Sequence, residues 1–164
     1  MNILPLALVA ALVAGPAFAA TATPADKAFV AKVSQGGMFE VDAGKLAETR
    51  GSTQDVRDFA AMEVHDHMLV GAKLKAISSS EGVTFAATPN AAFAGKMATL
   101  KGLSGAAFDE AYMSDMAALH DADGAAFLKE STEGGSAAYR AFGAETHRIV
   151  QRHIGAIHGT QPPR

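Results

Sequence analysis

The sequence predicts an all-α fold: a four-helix bundle whose second and third long helices are joined by a long crossover carrying a short extra helix. Three observations predict it. Alanine is abundant and runs of β-branched residues are scarce, a composition that favours helix over strand. Four segments carry apolar residues every three to four positions, each bounded by capping or glycine signals. The stretch between the second and third of them, residues 83–105, is too long for a tight helical hairpin and fits a connection that travels along the bundle.

The first element is expected to be removed. Met1 to Ala19 has an apolar run, Ile3 to Val13, followed by small residues ending in Ala17-Phe18-Ala19, the pattern of an A-x-A cleavage site. The n-region has no Lys or Arg. The run is too short for a membrane span, which needs about 20 apolar residues. The expectation is an exported, periplasmic protein that starts at Ala20 and has no transmembrane anchor.

Residues 20–25 form a polar lead-in, and the bundle domain runs over 26–158. The first helix spans Asp26, its N-cap, to Arg50, before Gly51. Its stripe is Phe29, Val33, Gly36 or Gly37, Glu40, Gly44 and Ala47, and the glycines would admit a neighbouring backbone. Ser52-Thr53-Gln54-Asp55 resembles a capping box for the second helix, which runs to Ser80. Its stripe is Val56, Phe59, Glu63, His67, Val70, Leu74 and Ile77, with Gly82 as the left-handed stop. Asn90 to Lys101 is the short extra helix. Ser104 caps the third long helix, which runs to Glu133. Its stripe is Phe108, Tyr112 or Met113, Met116, Leu119 or His120, Asp123 and Phe127. Ser136 caps the fourth, with stripe Tyr139, Phe142, Thr146, Ile149, His153 and Ile157. Residues 159–164, with Pro162-Pro163, form a frayed tail.

Composition narrows the function classes. There is no cysteine among the 164 residues, so disulfides and thiolate metal sites are excluded. A net charge of −3 gives no basic footprint for nucleic acid. No G-x-S-x-G, H-E-x-x-H or phosphate-binding glycine loop is present, so hydrolase readings fail and no catalytic residue is assigned.

What stands out is polar residues in apolar stripes: Glu40, Glu63 with His67, His120 and His153. Buried carboxylates and imidazoles are costly unless paired, hydrogen-bonded or metal-bound. Glu63 and His67 are four apart and share a helix face, whereas His65 points away from His67. Glu40 lies as far before the first interhelical turn as Glu63 and His67 lie after it, so they fall at one level. His120, near the middle of its helix, can meet that level. His153 has the right phase but sits about one helical turn, roughly 5 Å, out of depth, and His147 matches better in depth and worse in phase.

These five residues are therefore the candidate ligands of a metal ion, with a buried Glu–His hydrogen-bond network as the alternative. A di-iron site needs Glu-x-x-His pairs, which this chain lacks, so at most one ion is expected. Carboxylate and imidazole suit zinc, iron or manganese. Met62, Met68, Met113 and Met116 would favour copper(I), although core filling explains them too.

Several motifs also carry a resemblance. Ala28-Phe29-Val30, Gly37-Met38-Phe39-Glu40, Val56-Arg57-Asp58-Phe59-Ala60, Asp66-His67 and the run Leu103-Ser104-Gly105-Ala106-Ala107-Phe108-Asp109-Glu110-Ala111-Tyr112-Met113 resemble the bacterial domain-of-unknown-function 4142 family. Its members are exported bundles often labelled outer membrane proteins. The resemblance implies a ferritin-like four-helix bundle in the periplasm and marks Glu40, His67, His120 and His153 as the family's polar positions. It implies no activity. The chain departs from the pattern at His147-Arg148, where the family usually has Leu-Pro, which makes His147 an additional candidate. Two functions follow. One is a metal-binding protein with a structural, storage or stress-protective role, in which Glu40, His67, His120 and His153 are ligands and Glu63 is a fifth ligand or an acceptor behind a histidine. The other is a non-catalytic envelope protein that binds a partner.

Overall fold

Each helix starts on a short polar residue in extended conformation, because such a side chain can take up a free N–H of the first turn. A computed structural model describes residues 22–159; the expected signal segment and residues 160–164 lie outside the described residues. α1 spans Pro24–Arg50, α2 Gln54–Ser80, α3 Ala91–Gly102, α4 Gly105–Glu133 and α5 Ala137–Ile157, and no strand occurs among the described residues.

The cap of α1 differs from expectation. Thr23 is the N-cap and Pro24 the first helical residue; Asp26 closes a capping box by accepting from Thr23 N–H at 2.6 Å. The helix therefore takes in part of the expected lead-in. At α2 the cap is Thr53, whose hydroxyl accepts from Val56 N–H. Ser52 instead donates its hydroxyl to Asp109 Oδ2 of α4 at 2.5 Å, tying the first turn to the facing helix. Asn90 and Ser136 cap α3 and α5 as expected, and Gly82 takes the left-handed conformation (φ 66°). Ser104 is the N-cap of α4 without a side-chain cap bond.

α1 packs on α2 and α4 on α5, and the two hairpins meet through α1–α4 and α2–α5. Lys32 pairs with Asp123 near one end and Ser52 with Asp109 near the other, so α1 and α4 are antiparallel. Lys73–Glu145 and Asp66–Arg152 make α2 and α5 antiparallel as well. α2 and α4 therefore run in the same direction, and the chain between them must return along the bundle. α3 lies in that return, and Arg50 donates to the Lys101 carbonyl at its end.

The hairpins close tightly at glycine. A Cβ on Gly44 would come within 2.7 Å of Val64 Cγ2 and 3.3 Å of the Ala60 carbonyl. One on Gly143 would meet Ser131 N at 2.7 Å and Phe127 O at 2.9 Å. Only residues without a side chain allow these approaches. The core forms two apolar lobes. One holds Phe39, Phe59, Phe108, Tyr112 and Met116; the other holds Phe29, Leu74, Phe127, Tyr139 and Phe142. Each fully buried side chain of this kind contributes about 1.5–3 kcal/mol. Along every long helix the polar stripe residues fall between the two lobes.

Candidate metal centre

All five sequence-derived candidates are buried: Glu40, Glu63, His120 and His153 are at most 1% exposed and His67 is 6% exposed. Ligand-type atoms of Glu63, His67, His120 and His153 all lie within 4.8 Å of one another. Glu40 stands behind His67, outside that group, with Oε2 3.0 Å from His67 Nδ1 and Oε1 3.7 Å from His120 Nδ1.

Hydrogen bonds fix which way each imidazole faces. A carbonyl can only accept, so His120 Nδ1–H donates to the Met116 carbonyl (2.9 Å) and leaves Nε2 for the cluster. His153 Nε2–H donates to Asp66 Oδ2 (2.8 Å) and leaves Nδ1. His67 Nδ1–H points to Glu40 and leaves Nε2. The three remaining nitrogens converge on the Glu63 carboxylate, His67 Nε2 at 3.2 Å, His120 Nε2 at 3.3 Å and His153 Nδ1 at 2.8 Å. His120 Nε2 and His153 Nδ1 are 3.0 Å apart. With both rings neutral these would be two lone pairs in contact, which a proton or a cation must relieve. Both Glu63 oxygens and His67 Nε2 are close to partners yet make no hydrogen bond of acceptable angle.

The electrostatics are mutual. Burial opposes charge on His67, but the Glu40 and Glu63 carboxylates outweigh it and raise its pKa well above the ordinary value. His120 is raised as well, burial being overcome by the adjacent Glu63 and Glu40 carboxylates. Burial pushes Glu63 up, and the His67 charge with the close approach of His120 and His153 brings it well below the carboxylate range. Glu40 is lowered, with His67 outweighing burial. The raised pKa values of His67 and His120 mean that protons held there would balance Glu40 and Glu63 in the metal-free layer. A divalent cation carries the same charge as those protons, so exchange leaves the buried layer neutral.

Depth alone had set His153 about a turn out of level. The close contact of Gly143 with the α4 backbone fixes the register of α4 on α5 and brings His153 opposite His120. His147 is only partly buried, on the side of α5 facing Gln151, while His65 and His158 are exposed. Asp66 was missed by sequence reasoning. It holds His153 and is itself paired with Arg152; burial raises its pKa, and His153 and Arg152 together lower it. The available signal was its position three residues after Glu63, on the same flank of the helix. Three of the four methionines follow the core reading, Met62, Met113 and Met116 packing in the first apolar lobe, whereas Met68 is exposed and does not.

With fold and site described, the family follows. A model of the family described as a domain of unknown function, DUF4142, matches residues 11–159, and the chain belongs to that family. No curated protein and no solved structure matches it. No helix among the described residues is long and apolar enough to cross a membrane.

Proposed function

We propose that the chain is an exported, ferritin-like bundle that binds one divalent transition-metal ion, with Glu63, His67, His120 and His153 as its ligands. One observation carries the reading. Each of three buried imidazoles has one nitrogen engaged by an acceptor, and its other nitrogen faces a common carboxylate. Acceptors behind histidines are how metal sites fix ring orientation and tautomer. On this reading Glu40, Asp66 and the Met116 carbonyl support the ligands from behind. Glu40 and Glu63 thus exchange the roles that the family pattern suggests. Three imidazoles and one carboxylate suit zinc, iron or copper(II). Four protein ligands in a buried layer favour a structural or storage role over catalysis. The single long crossover supports the ferritin-like reading, and the apolar run from Ile3 to Val13 supports export.

The test is the metal content of protein purified without chelator or affinity tag, paired with thermal unfolding. One equivalent of metal is expected. A free concentration a hundred times Kd should add about 2.7 kcal/mol of stability. Substoichiometric metal, with a Tm unmoved by zinc, copper(II) or iron(II), would leave the second reading: a non-catalytic envelope protein whose layer is a structural ionic network. The raised pKa values of His67 and His120 favour that reading for the metal-free state.

A further inference from the structure

A cavity of about 400 Å³ lies between α1, α2 and the 85–89 segment of the crossover, within the size range of small-molecule sites. Its walls are mostly apolar, with Val33, Leu74, Phe85 and Phe127 among them. Two of its lining residues are the mid-helix glycines Gly37 and Gly71. Glycine weakens a helix relative to alanine and is expected there only where space is short. Here space is open: a Cβ built on either residue meets nothing within 4 Å. Gly44 and Gly143 admit a neighbouring backbone, whereas Gly37 and Gly71 leave volume that the protein itself does not fill.

The cavity has an acidic side. Glu40 and Asp123 both line it and are 1% and 6% exposed. Glu40 is paired with His67, which also lines the cavity, whereas the buried Asp123 carboxylate has the exposed Lys32 as its partner, 3.1 Å from Oδ1. A hydrated metal ion does not match the apolar walls, and an anionic amphiphile would bring its charge against the buried Asp123 carboxylate. The matching chemistry is an apolar body with a cationic head. We infer that this cavity is a binding site for a small amphipathic organic cation, a primary ammonium on an aliphatic or aromatic body, whose head is drawn to the Asp123 carboxylate. The site does not rest on the metal reading, because its walls are present whether the Glu63 cluster holds protons or an ion.

Calorimetric titration of the purified protein with n-octylammonium, octanoate and octan-1-ol tests this, in metal-free and metal-supplemented samples. Saturable one-to-one binding of octylammonium is expected, at least tenfold tighter than octanoate. Gly71→Leu should fill the cavity and abolish it. Gly95→Leu, on α3 and also in open space, should keep it and controls for altered helix propensity. Asp123→Asn should narrow the preference for octylammonium over octan-1-ol, and circular dichroism verifies that each variant is folded. Octanoate binding as tightly, or full binding in folded Gly71→Leu, overturns the assignment. So does an absence of saturable binding; if Gly71→Leu then slows metal uptake, the cavity is instead the ion's passage to His67.

Discussion

Asp26 at the start of α1 and Glu130 near the end of α4 are buried, as Glu40 and Glu63 are at mid-bundle, yet the two acid pairs are accommodated in opposite ways. Asp26 is satisfied by backbone: it accepts from Thr23 N–H and from Gly135 N–H at 2.8 Å. Those bonds outweigh burial and lower its pKa. Glu130 beside it has no ion pair with a cation among the described residues. Burial and the Asp26 carboxylate push its pKa up to about 7, so below that pH a proton on Glu130 relieves the repulsion between the two acids. At mid-bundle the carboxylates face imidazoles instead, and nitrogens whose other side is already bonded converge on Glu63. Buried acid alone therefore does not define a metal site. The direction and tautomer of the neighbouring donors do.

Parallel substitutions would sharpen that contrast. Glu63→Gln has the largest expected effect. It removes the charge that faces His67, His120 and His153, and should cost about 3–5 kcal/mol in urea unfolding of the metal-free protein. It should also abolish stoichiometric metal binding; full retention of the metal would remove Glu63 from the ligand set. Glu40→Gln and Asp66→Asn come next. As supports behind His67 and His153, each should weaken metal affinity about 10–100-fold in competition with a chelator while leaving one equivalent bound at saturation. Loss of the ion itself from Glu40→Gln would return Glu40 to the ligands.

The smallest effect at low pH belongs to Glu130→Gln, and its size depends on pH. The pKa of Glu130 is raised from 4.5 to about 7 on folding, so its contribution is fully present below the unfolded value and is lost as pH rises through the folded one. Wild type should lose stability relative to Glu130→Gln between those two values, and the two profiles should run parallel at lower pH. Equal stability profiles across the whole range would show that Glu130 shares no proton with Asp26.

How much was legible in the sequence follows from what helical periodicity encodes. The stripes of Val56-Phe59-Glu63-His67 and Phe108-Tyr112-Met116-His120 identified the buried faces, because a side chain's phase on a helix is fixed by the backbone. Capping chemistry located the ends, with an error at Asp26 because Thr23 and Pro24 form the stronger start. Phase cannot say how far one helix slides along another. The contacts of Gly143 with α4 decided that, and with it the level of His153. Nor can phase choose between two nitrogens of one ring, or between two glutamates that both point inward. Those choices came from acceptors on other helices or one turn away: Glu40 for His67, Asp66 for His153 and the Met116 carbonyl for His120. The sequence by itself determined the helices, their inward faces and the five polar residues on them. Only the tertiary structure decided which atoms meet and which glycines leave a cavity, because both depend on distances between helices that no local pattern records.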